Sequence, residues 1–228
     1  MMQFELVVSL SLAVMFSFSI ILDLYGYFIK TTCIESAQTE ALALSNWVVY
    51  HARVINMVLA LILAFSFESG MQLSIPLVFI GSFLMASFAA ILFIYTDRVE
   101  SLLKYTFGIF IFYPFAGMRK KTFWRPLNLS VNIFFLSALV SAGLIYMAII
   151  LPFYTVSFFP EFRMSIVYFG QFFTFMSTVI LLSYIDPKIM KYLDLKKCKY
   201  GPDGFVFGRI WAIFMITLIM LCSFFLWS

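Results

Sequence analysis

An arginine stands in the middle of a long apolar stretch of this chain. Residues 41–66 read ALALSNWVVYHARVINMVLALILAFS, and Arg53 lies at their midpoint. At about 100° per residue, Asn46, Tyr50, Arg53 and Asn56 fall within an arc of about 120° on a helix, so one face is polar through its centre and His51 lies off it. A guanidinium matches a phosphate as a bidentate fork and keeps its charge, and Asn46, Tyr50 and Asn56 would add neutral donors. That chemistry is recognition of an anion. The competing role is an ion pair with an acid on another helix. A charge at the bilayer centre costs about 2.5–3.5 kcal/mol on insertion scales, so Arg53 is expected to face protein or water.

The other candidates are sparser. Asp23 is the acid well inside the first apolar run, placed to pair with Lys30 or to face a cavity, whereas Glu5 lies near the run's outer end. Gln171, Thr174 and Thr178 share a face, and with Ser177, Asn132, Ser137 and Ser141 they read as hydrogen-bonding glue between helices. His51 reads as a packing residue. It cannot form a zinc site with Cys33, Cys198 and Cys222, whose number is odd and whose spacing contains no C-x-x-C. No cofactor is implied. No Walker A, G-x-S-x-G or H-E-x-x-H motif occurs, and no paired acid/base groups cluster, so the chain does not read as an enzyme.

The elements that must position these residues follow from composition. Of 228 residues, 64% are hydrophobic and 11% charged, against about 45–50% and 25% in soluble domains. That excludes a soluble enzyme, a nucleic-acid binder and a disordered regulator. The fold class is an all-α polytopic membrane bundle in a single transmembrane domain, 1–228. A span needs about 20 mostly apolar residues, and six segments qualify: 4–29, 41–66, 73–95, 130–157, 165–186 and 207–228. Their runs are continuous rather than alternating, which excludes strands. The first has no basic residue before it and no cleavage pattern, so it reads as a retained helix. Residues 99–118 are ambiguous, because Glu100, Lys104 and Pro114 interrupt them. They either span or lie in the interface as a re-entrant segment. Asp186-Pro187 reads as a helix stop and a new start.

Charge distribution separates these topologies. If 99–118 does not cross, thirteen Lys and Arg, Arg209 among them, fall on one side and only Arg163 on the other; if it crosses, the split is ten against four. The positive-inside rule favours the first. Six spans with both termini extracytoplasmic are therefore expected. Trp47, Trp124 and Trp211 then lie near the cytoplasmic interface and Trp227 near the outer one. The net charge of +4 reflects these loops, not nucleic-acid binding. The basic runs Arg119-Lys120-Lys121 and Lys196-Lys197-Cys198-Lys199 suit anionic membrane lipids. The halves 1–95 and 130–228 have opposite orientation, the layout of an inverted three-plus-three repeat.

Two stretches carry a family resemblance. One is Ala43-Leu44-Ser45 followed by Ala52-Arg53-Val54-Ile55-Asn56-Met57; the other is Ile185-Asp186-Pro187 followed by Asp194 and Gly201. In order and helix count the chain resembles the Amj-type lipid II flippases. Ala52 stands where that family has Ser, and the last helix lacks its Gly-Thr-x-x-Ala-Gln pattern. The resemblance implies a bacterial inner-membrane protein that moves lipid II, the undecaprenyl-pyrophosphate-linked peptidoglycan precursor, to the outer leaflet. It adds Asp186 to the site set of Arg53, Asn56, Asn46, Tyr50 and Asp23. Arg53 would engage the pyrophosphate while the prenyl tail stays in the bilayer. The alternative is a non-transporting subunit or scaffold of an envelope complex.

Overall fold

The computed structural model describes residues 2–32, 38–69, 71, 73–112, 127, 129, 131–159, 161, 163–194 and 203–227. Among these residues there are helices and no strands. In chain order they are α1 (Met2–Thr32), α2 (Gln38–Glu68), α3 (Ile75–Tyr95), α4 (Arg98–Phe112), α5 (Ile133–Phe158), α6 (Arg163–Ile180), a π turn (Leu181–Ile185), α7 (Asp186–Asp194) and α8 (Asp203–Trp227). Six stretches are long and apolar enough to cross a membrane: Gln3–Thr31, Leu42–Ser66, Ile75–Tyr95, Ile133–Val156, Gly170–Ile189 and Asp203–Phe225. The chain is thus an all-helical multi-pass membrane protein. Helix α4 has 15 residues, about 22 Å of helix, which is short of the hydrocarbon thickness. It packs beside α3 and α2 with Val99, Glu100 and Leu103 buried, and Tyr25 of α1 donates to Glu100 at 3.3 Å. Residues 113–118, Trp124, both basic runs, Cys33, Cys198 and Gly201 lie outside the described residues.

The fifth span corrects the expected stop at Asp186-Pro187. Proline removes its own N–H and crowds the carbonyl one turn back, yet the helix continues. The ladder widens instead: the Asp186 N–H reaches Leu181 O across the π turn, which accommodates the proline without breaking the axis.

Packing follows one pattern in both halves. Helix α1 packs on both α2 and α3, and α5 packs on both α6 and α8, while neither outer pair makes an extensive contact of its own. The halves meet mainly through α3 and α8. Lipid tails are as apolar as leucine, so shape and polar contacts must drive this association. Close approach comes from glycines. A Cβ on Gly26 of α1 would lie 2.6 Å from Val49 Cγ2. In α5, Pro152 deprives the Ala148 carbonyl of its usual donor, and Gly170 of α6 sits against that oxygen and the proline ring. Interhelical hydrogen bonds add to this: Ser45 Oγ to Gly26 O at 2.7 Å, Ser177 Oγ to Ser141 O at 2.8 Å, and Ser87 Oγ with Thr217 Oγ1 at 3.0 Å.

The start of α8 is a Gly-x-x-x-Gly segment, Gly204 to Gly208. A Cβ at Gly208 would strike Phe135 O and come within 2.9 Å of the Ala138 Cβ, whereas at Gly143 it would meet nothing within 4 Å. Gly208→Leu should therefore pry α8 from α5, at a cost of about 1–3 kcal/mol or more. The expected result is a lower melting temperature in detergent and lower membrane abundance, with Gly143→Ala unchanged. Equal stability of the two variants would remove the close-packing argument.

Candidate functional site

Helix α2 carries the candidate face because its two sides differ. Leu44, Ser45, Val48, Val49, Ala52 and Leu59 are buried against α1. Asn46, Tyr50 and Arg53 point away from the bundle and are exposed. Arg53 stands at the middle of the Leu42–Ser66 span and forms no ion pair among the described residues. The Tyr50 ring lies 5.9 Å from its guanidinium. The described chain thus leaves Arg53 uncovered at mid-depth, rather than lining an enclosed hydrophilic cavity. Asn56 departs from the expected face: its Oδ1 accepts from Ser19 Oγ of α1 at 2.6 Å, and that hydroxyl also lies 3.0 Å from Ala52 O. It joins α2 to α1. His51 packs edge-on against Trp47 at 4.6 Å, with Nδ1 2.9 Å from the Trp47 carbonyl, a local packing role.

The stripe continues beyond Arg53. Met57, Leu61, Ala64 and Glu68 follow it along the same exposed side of α2 and form one wall of a groove of about 780 Å³. Its floor is α5 around Ala148, Pro152 and Val156, and its far wall is α6 through Gln171, Thr174 and Thr178. The groove exists because α2 and α6 make no extensive contact. It occupies the half of the bundle that holds both chain termini, and Arg53 lies one helical turn beyond its inner end. Of the α6 residues expected to be glue, Thr174 and Thr178 bond within their own helix. Thr174 Oγ1 donates to Gly170 O at 3.2 Å and Thr178 Oγ1 to Thr174 O at 2.8 Å, both within α6. Ser177, one position round, makes the bond to α5.

Asp23 and Asp186 are held elsewhere. Asp23 does not pair with Lys30. It accepts from Arg209 Nη2, and Lys30 Nζ instead reaches Asp186 Oδ1 of α7 at 2.6 Å. Gly204 and Gly208 seat α8 against α5, and the next residue, Arg209, turns its side chain toward Asp23 and Tyr27 of α1. Arg209, expected at the foot of the last span among the loop charges, is wholly buried. Its guanidinium sits over the Tyr27 ring at 4.0 Å and 5.5 Å from the Phe205 ring. Its Nε and Nη1, and the Tyr146 hydroxyl, have no hydrogen-bond partner among the described residues. Six residues proposed from the sequence therefore separate into three groups: Arg53, Asn46 and Tyr50 on one open face; Asn56 at the α1–α2 seam; Asp23 and Asp186 in ion pairs that tie α1 to α8 and α7. No group of three or more His, Cys, Asp or Glu that could hold a metal occurs among the described residues. No family model matches the chain, and no curated protein or solved structure matches it either.

Proposed function

We propose that the chain is a flippase that carries undecaprenyl-pyrophosphate-linked peptidoglycan precursor from the inner to the outer leaflet of the bacterial cell membrane, without catalysing a reaction. The observation that carries this reading is an exposed Arg53 at mid-span, with no ion pair among the described residues, on a stripe that leads into a groove. An unneutralised guanidinium there is costly, and a phosphate group would neutralise it in a bidentate fork. The Amj-like residues around Arg53 and Asn56 add support. The headgroup would move along the α2 face, because its desolvation is the barrier, with Asn46 and Tyr50 as neutral donors on the cytoplasmic side of Arg53. The test is rescue of cells depleted of their main lipid II flippase. The wild-type chain should restore growth and Arg53→Ala should not; failure of the wild-type chain to rescue would refute the reading.

This reading places both termini outside the cell, from the asymmetry of basic residues. A reporter fused after Ser228 should read extracytoplasmic and one placed in 118–128 cytoplasmic. An outward reading at 118–128 would overturn the six-span arrangement. A second reading draws on the same exposure: Trp47 and Tyr50 stand 37% and 60% exposed beside Arg53, a face that could dock an acidic helix of another envelope protein. Co-purification of such a protein, lost in Arg53→Ala, together with no rescue, would select it.

A further inference from the structure

The groove and Arg53 belong to one stripe of α2 and have opposite chemistry. From Met57 to Glu68 the wall rises about 16 Å, close to the hydrocarbon depth of one leaflet. Leu61, Ala64, Phe153, Val156 and Phe175 make it apolar, and it opens sideways, so in a membrane hydrocarbon fills it. Two charges select which hydrocarbon. Arg53 stands exposed at the mid-depth end, and Glu68 stands exposed at the surface end. A diacyl phospholipid of the adjacent leaflet would set its phosphate beside the Glu68 carboxylate and its chain ends beside Arg53, wrong for both charges. A phospholipid of the opposite leaflet has chains that end near mid-depth, short of the groove. An amphiphile with phosphate at mid-depth and one long chain running outward meets Arg53 with an anion and sets no phosphate beside Glu68, which stays exposed at the surface end.

We infer that the α2–α5–α6 groove seats the head-proximal part of a polyprenyl chain whose phosphate rests on Arg53. This deepens the flippase reading and rests on its use of Arg53. It modifies the expectation that the tail stays wholly in the bilayer. A chain that slides sideways from lipid into a lateral groove exchanges like contacts for like, so the groove adds little affinity. What it adds is registration: a chain held in the groove fixes the phosphate one turn further along, at the guanidinium. Binding near the midplane, between the two halves of the bundle, is where transporters of repeat architecture place their substrates.

The test uses the full-length protein in phosphatidylcholine vesicles. One probe is undecaprenyl pyrophosphate with a diazirine in its head-proximal isoprene unit; the other is phosphatidic acid with a mid-chain diazirine. The prenyl probe should label peptides covering 57–68 and 171–178. Ala64→Trp, which fills the groove, and Arg53→Gln, which removes the fork, should each reduce that label about tenfold or more. Thr174→Phe, on the opposite wall, serves where Ala64→Trp fails to insert. Equal labelling by phosphatidic acid, insensitive to Arg53→Gln, would mean an ordinary bilayer lipid and overturn the inference. Prenyl label outside the groove would overturn it as well. Groove labelling in a chain that fails to rescue flippase-depleted cells would keep the binding site and refute transport. Arg53-dependent rescue that persists in Ala64→Trp without groove label would keep transport and refute the site.

Discussion

Arg53→Ala should leave membrane abundance at or above the wild-type level and abolish lipid flipping. Both halves of that result follow from geometry. Arg53 is exposed and forms no ion pair among the described residues, so its removal strands no buried acid. It also removes a mid-span charge that costs about 2.5–3.5 kcal/mol to insert. A hydrogen bond to a charged group is worth about 1.5–3 kcal/mol, so losing a fork to phosphate should lower transport at matched abundance by at least about tenfold. Arg53→Lys separates charge from shape. Lysine keeps the point charge but cannot make the planar fork, so it should insert normally and transport poorly. The measurements are quantitative blotting of membranes and a leaflet-accessibility assay in vesicles at equal protein. Full transport by well-inserted Arg53→Ala protein would end the case for an anion site on α2.

The sequence discloses the spans and the depth of Arg53 but not which side of each helix turns inward. Long apolar runs locate helices because a bilayer accepts little else, and the six expected segments lie within several residues of the observed ones. Facing is a different matter. In water a polar stripe marks the outer side of a helix. In a bilayer both sides of α3 and α5 are apolar, and burial carries little free energy to pattern them. The polar face of α2 was readable as an arc, yet Asn56, at its edge, turns to Ser19 while Arg53 does not. Partnership is harder still. The acid and base of the central ion pair are 186 residues apart, and nothing local couples them. A signal did exist in Gly204-x-x-x-Gly208, which lies immediately before Arg209. Two glycines a turn apart mark close helix approach, here to α5, and an arginine beside that contact lies inside the bundle rather than at an interface. Counting apolar residues from 207 onward hid that, because α8 begins at Asp203.

The Asp23–Arg209 pair should behave as two things at once, and a double variant separates them. Breaking a buried pair from one side leaves an uncompensated charge, at a cost of about 3–5 kcal/mol. Asp23→Leu and Arg209→Met should each sharply lower membrane abundance, the former more, because it strands a wholly buried guanidinium. The double variant Asp23→Leu/Arg209→Met replaces the pair by apolar groups of similar size, and buried pairs replaced this way are often neutral or stabilised. Abundance and thermal stability should therefore return to the wild-type level. Transport should not return. Buried polar groups are mostly hydrogen-bonded, and Arg209 Nε and Nη1 and the nearby Tyr146 hydroxyl have no partner among the described residues. The pair also ties α1 to α8, across the two halves that a transporter must move against each other. An interaction of this kind, strong but incompletely satisfied, suits a contact that is exchanged during the cycle. Normal transport by a well-folded double variant would make the pair a structural relic and leave Arg53 to carry the mechanism alone.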